Sequence, residues 1–128
     1  MTKPPKLARL LLAGIFLRAG WRTANNPASM AAAAAKLGFP EPEAMVRFNG
    51  AAQLTGATAM ALGILPRLAA AGLAVSMVPT TLAGHRFWEV EDEMARNQQT
   101  TQFLKNLGLI GGLLAVAAWP DRAAPAAG

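Results

Sequence analysis

Two stretches of this chain, residues 68–84 and 106–119, contain no charged side chain at all, and between them lies TTLAGHRFWEVEDEMARNQQTTQFLKN, residues 80–106, which holds the only histidine and four of the seven acids. A helix at a protein–water boundary needs one wet face, and these runs have none. They constrain the chain to buried or lipid-facing helices, with the polar insert capping one end of whatever they build. Two more apolar segments approach the roughly 20 residues that a helix needs to cross about 30 Å of hydrocarbon. Residues 46–65 are charged only at Arg47, and residues 7–23 carry Arg9 and Arg18 on either side of LLLAGIFL. The expected fold is therefore all-α: a four-helix transmembrane bundle over residues 1–120, with a disordered tail at 121–128. The tail, DRAAPAAG, has too little apolar bulk to pack.

Composition agrees with one compact unit, at 53% hydrophobic and 15% charged residues. Mean hydropathy is +0.29, lowered by alanine, glycine and the polar connectors. With no cysteine there are no disulfides, thiolate metal sites or thiol relays, so any redox group must be borrowed. A net charge of +5 invites a nucleic-acid reading, but Lys and Arg are scattered singly, with no basic stripe along one element. The basic excess instead reads as membrane orientation and local site charge, and nucleic acid is not expected as a partner.

The connectors set the topology. Basic Lys3, Lys6 and Arg9 precede the first apolar run as in a signal peptide, yet Arg18, Trp21 and Arg22 stand where a small-residue cleavage site should be, so the segment is expected to stay. NPASMAAAAAKLGFPEPEAM, residues 26–45, predicts a short interfacial helix between helices one and two, with Ser29 as N-cap and Gly38 as terminator. Pro42 suits the first turn of the second span, and Pro66-Arg67 is expected to stop it.

Antiparallel spans place nearly everything reactive at one membrane face: Arg18, Arg22, Asn25, Arg47, Asn49, Gln53, Thr81, His85, Lys105 and Asn106. The other face receives Arg9, Arg67, Asp121 and Arg122. Trp21 and Trp88 fall in the aromatic belt of the rich face and Trp119 in that of the poor one. Counting the deep cations as site residues favours cytoplasmic termini. Because an amide facing hydrocarbon costs several kcal/mol, the stripes Asn49–Gln53–Gly56–Gly63 and Thr101–Lys105–Gly108–Gly112 are expected to face each other. Their pairs Ala52/Gly56 and Gly108/Gly112 are expected to let helix backbones approach.

Three blocks, RFNGAAQLTGATAMALGILPRLAA (47–70), VPTTLAGHRFWE (78–89) and FLKNLGLIGGLLAVAA (103–118), resemble the DoxX family of small bacterial four-helix membrane proteins. The resemblance spans about residues 7–118 and is loose in the first helix and the Ala-rich connector. It implies a multi-pass place in the bacterial inner (cytoplasmic) membrane and association with membrane redox systems, some relatives being similar to subunits of a thiosulfate:quinone oxidoreductase and others looking like partners in oxidative-stress complexes. Many members carry a glutamate where this chain has Gln53, a neutral amide that cannot relay a proton as a carboxylate does.

Two function classes follow. In one, a basic, amide-lined pocket of Arg18, Asn49, Gln53, His85, Lys105 and Asn106 holds a quinone head group or a small anion, and a redox partner protein supplies electrons. In the other, Arg86, Phe87 and Trp88 dock a partner and the polar residues only hold four helices in register. His85 reads either as a proton carrier or as a helix-end cap. Lys105 and Arg18 need a partner or wet cavity unless they snorkel, whereas snorkelling suits the shallower Arg22 and Arg47. The acids at Glu89, Glu91, Asp92 and Glu93 read as a solvated loop, and His85 with Glu89 lacks further metal ligands nearby, so no metal and no intrinsic cofactor are expected. No nucleophile–base pair or phosphate loop is present, which leaves subunit of an oxidoreductase complex ahead of autonomous enzyme. Membrane lipid is the expected surrounding, and a second copy of the chain stays open as a partner.

Overall fold

The computed structural model describes residues 3–120. The tail expected from residue 121 onward lies outside them, as do Asp121 and Arg122. The described residues are all-helical: α1 Lys6–Asn25, α2 Ala28–Lys36, α3 Pro42–Leu62, α4 Pro66–Gly84, a 3₁₀ turn Phe87–Glu89 and α5 Glu93–Ala117. The four long helices run up, down, up and down. Arg9 near the start of α1 meets Met60 near the end of α3, Gln53 of α3 meets Ser76 of α4, and Arg67 at the start of α4 meets Trp119 just past the end of α5. Helix α1 packs mainly on α3, α3 on α4 and α4 on α5, while α5 touches α1 only lightly.

Local chemistry explains most boundaries. Pro42 and Pro66 open α3 and α4 at their first turns, where a missing N–H costs nothing. Pro66 thus begins a helix rather than stopping one. The stop is Gly63, whose φ of 76° reverses the chain while Ile64 N–H bonds back to the Ala59 carbonyl at 2.8 Å. Gly38, at φ 81°, ends α2 in the same way, its N–H on Ala35 and the Phe39 N–H on Ala34. Ser29 does not cap α2. Pro27, already in the right-handed helical region, starts the helix earlier, and its carbonyl takes the Ala31 N–H. Asp92 is an N-cap, not simply loop: its carboxylate accepts the Ala95 N–H at 2.9 Å, so α5 begins before its apolar half and runs for 25 residues.

The core joins α1, α3, α4 and α5 through small residues and a few large ones, with Met60, Leu73 and Leu113 fully enclosed. Helices α1 and α3 come closest at Gly20 and Gly50. A Cβ on Gly20 would lie 2.8 Å from the Gly50 carbonyl oxygen, and one on Gly50 would lie 2.9 Å from the Ala24 nitrogen. The Gly108/Gly112 expectation fails in part: Gly108 faces open space and only Gly112 is met, by Leu12. The inward face of α5 is the stripe of Asn106, Leu109, Ile110, Leu113 and Val116, one position round from the expected one. Bulk decides this, since the expected stripe offers nothing large enough to fill the space between α1 and α4. In α3, Gln53 and Gly63 are buried as expected and Gly56 lies against Leu73, but Ala52 is exposed.

Large apolar side chains also point outward from every long helix: Leu7, Leu11 and Leu17 on α1, Phe48 and Leu62 on α3, Leu68 and Val75 on α4, Leu104 and Leu114 on α5. Among the described residues one stretch, Pro66–Glu89, is long and apolar enough to cross a membrane by length and composition, and only 28% of its 18-residue apolar window is buried inside the bundle. The other long helices fall short of that composition because α1 carries Arg9, Arg18 and Arg22, α3 carries Arg47, Asn49 and Gln53, and the first turns of α5 are polar.

Candidate functional site

At the end of the bundle shared by the C-termini of α1 and α4 and the N-terminus of α3 lies a cavity of about 670 Å³. All six residues expected to share a pocket line it: Arg18 from α1, Asn49 and Gln53 from α3, His85 from the end of α4, and Lys105 and Asn106 from α5. Arg22, read from sequence as a shallow snorkelling residue, lines it too. Helix α2 supplies Met30 and Ala34 to the wall and is held to α3 by a small apolar cluster of Ala31, Ala34, Val46 and Phe39. The floor is apolar, with Phe16, Met77 and Leu109.

The amides are engaged inside the protein. Asn49 donates to Thr80 Oγ1 at 2.9 Å, Gln53 to Ser76 Oγ at 3.3 Å and Asn106 to Thr81 Oγ1 at 3.1 Å. Helix α4 therefore carries a hydroxyl partner for each amide, and the buried Gln53 and Asn106, 3% and 4% exposed, are held at the seams of the bundle. A buried amide without a partner would cost about 1–3 kcal/mol, so these pairs fix which faces of α3 and α5 turn toward α4. The Ser76 and Thr80 hydroxyls donate in turn to the Leu73 and Ser76 carbonyls. Sequence reasoning noted Thr81 but not Ser76 or Thr80. Their signal is three hydroxyls within six residues of an otherwise apolar helix, spaced to match Asn49 and Gln53 one turn apart on α3.

His85 closes the C-terminus of α4, its N–H on the Thr81 carbonyl and its Nδ1 2.8 Å from Gln99 Oε1. The cations are less committed. Lys105 Nζ donates to Gln102 Oε1 at 2.6 Å on the same helix and is otherwise exposed at the cavity edge. Arg18 and Arg22, also exposed, have no hydrogen-bond or ion-pair partner among the described residues. Arg47 lies outside the cavity and donates to the Ala24 carbonyl at the end of α1, with Glu43 beside it.

The residues expected to dock a partner pack against the N-terminal half of α5 and stay partly exposed. Phe87 lies edge-on to both Trp88 and Phe103, each at 5.2 Å, and Trp88 meets Phe103 at 5.9 Å. Arg86 stacks over Trp88 at 5.7 Å and pairs with Glu89 at 2.6 Å. The rings pin the 3₁₀ turn to α5, and Trp88 alone is half exposed.

Fold and cavity together define a small up-and-down helical bundle with a basic pocket at one end and an apolar outer surface. The family model described as DoxX matches residues 5–86, and the chain belongs to the DoxX family. DoxX is a family of membrane proteins often linked with oxidoreductase-associated functions. The match covers α1 to α4 and ends at Arg86, so α5, with Lys105 and Asn106, lies beyond it. No curated protein and no solved structure matches the chain.

Proposed function

We propose that this chain is a multi-pass protein of the inner (cytoplasmic) membrane, in which α1, α3, α4 and α5 cross as a four-helix bundle and α2 lies at the interface. It serves as an accessory subunit of a membrane oxidoreductase system, and its cavity holds a quinone head group or a small anion while a partner protein supplies the electrons. Helix lengths support the crossing: 19 to 21 residues for α1, α3 and α4, near the span of the hydrocarbon. So do the outward-facing leucines on all four long helices, which water would not favour in such number.

The observation that carries the ligand reading is convergence: Arg18, Asn49, Gln53, His85, Lys105 and Asn106 come from four helices to one concave, mostly apolar space. The docking alternative keeps the half-exposed Trp88 as its candidate contact, beside rings that pack on one another. The test is the protein extracted from membranes in a neutral detergent and titrated with a short-chain benzoquinone. Saturable binding that weakens in Lys105→Ala is expected. A quinone that does not bind, or binds the variant equally well, rules out the quinone reading.

A further inference from the structure

We infer that this cavity takes, besides the quinone head or small anion, an anionic amphiphile that fills it more completely: one acidic head held by Arg18, Arg22 and Lys105, and one apolar tail laid over Phe16, Met77 and Leu109. The inference rests on the reading that the cavity is the ligand site and adds a ligand class to those proposed for it. Three observations carry it.

Charge comes first. The lining includes three cations and no carboxylate. Glu43 and Glu89 pair with Arg47 and Arg86, and neither lines the cavity. Second, the neutral polar groups already have partners. Asn49, Gln53 and Asn106 donate to hydroxyls of α4, and His85 is joined to Gln99. The charged donors with room for a ligand are the two guanidinium groups and the protons of Lys105 not bonded to Gln102, beside the second N–H and the carbonyl of each amide and Nε2 of His85. Hydrogen bonds from such charged donors are roughly twice as strong as those between neutral groups, and an anion adds charge attraction to them.

Size and wall chemistry come third. A cavity of about 670 Å³ is far larger than an inorganic anion, and its floor is apolar. A small anion would leave that floor wet, and a neutral ring would leave three cations uncompensated. A head-and-tail molecule satisfies both. The wall also includes Met45 and Phe48, the latter 76% exposed on the outer face of α3, so a tail longer than the cavity has an apolar exit toward the bundle exterior.

The experiment is equilibrium binding to the full-length protein in a neutral detergent, with oleate, dodecyl phosphate, oleyl alcohol, acetate and a short-chain benzoquinone as probes. Oleate or dodecyl phosphate should bind at least about tenfold more tightly than oleyl alcohol and acetate, and their ranking tells a carboxylate from a phosphate head. In the double variant Arg18→Gln/Lys105→Gln that advantage should fall to the level of the alcohol. Lys36→Gln, at an exposed cation outside the cavity, should retain it, and if the double variant is unstable the single variants Arg18→Gln and Lys105→Gln carry the test, each weakening oleate but not oleyl alcohol. Equal binding of oleate and oleyl alcohol, or an oleate affinity unchanged in the double variant, overturns the inference. Benzoquinone bound without either anionic amphiphile overturns it while leaving the quinone pocket standing, and no probe bound at all removes both.

Discussion

Both ends of this bundle carry arginines and use them in opposite ways. At the closed end Arg9, only 7% exposed, donates to the carbonyls of Pro4 at 3.0 Å, Met60 at 2.9 Å and Ala61 at 3.3 Å, and Gly63 leaves the room its guanidinium occupies. Arg67 donates to the Trp119 carbonyl at 3.1 Å. Both cations thus satisfy carbonyls at the ends of α3 and α5, where helices leave acceptors unpaired and the dipole is negative. At the open end, among the described residues, only Arg47 does this, on Ala24. Arg18, Arg22 and Lys105 instead border a cavity. Arg9, Arg67 and Arg47 are thus tied to the scaffold, whereas the cations that border the void, Arg22 in the last turn of α1 among them, are the ones the proposed reading gives to a ligand.

The sharpest way to break this contrast is Arg9→Ala. It leaves backbone carbonyls of two segments without their donor in a buried place, and the expected loss is on the order of 3 kcal/mol, read as a lower unfolding midpoint in detergent. Arg9→Lys should recover part of it, since one ammonium cannot reproduce the planar fork. Gly50→Ala comes next, at about 2 kcal/mol, because its methyl would meet the Ala24 backbone at 2.9 Å and force α1 away from α3. This variant should also disturb binding, since α1 carries Arg18 and Arg22. Asn106→Ala should cost about 1 kcal/mol, and Thr81→Ala added to it little more, which a double-mutant cycle measures.

Legibility in the sequence follows the same division. The four long helices and the enrichment of one end in polar groups were readable because uncharged runs and the order of antiparallel spans fix them without any knowledge of contacts. Packing faces were not. Gly20 and Gly50 sit singly on separate helices, so nothing marks them until α1 and α3 are aligned, whereas Gly108 and Gly112 display a pattern that the fold uses only at Gly112. Arg9 was assigned to the poor end correctly, but its burial depends on Gly63, fifty-odd positions away in the chain. The amide residues were placed in the cavity wall, yet their engagement by Ser76, Thr80 and Thr81 depends on the α3/α4 register, which hydropathy does not specify.

The smallest expected stability effect belongs to the cavity cations, and it is the most discriminating. Arg18→Gln and Lys105→Gln remove no hydrogen bond to another helix, since Lys105 reaches only Gln102 on α5 and Arg18 has no partner among the described residues. Exposed positions of this kind usually change stability by within about 0.5 kcal/mol. The double variant should therefore unfold at the wild-type midpoint or slightly above it, because two like charges facing one space repel each other. An equal midpoint with lost anionic-ligand binding would separate the two ends cleanly. A fall comparable to that of Arg9→Ala would mean that these cations hold the scaffold after all, and the open end would then be a looser version of the closed one rather than a binding site.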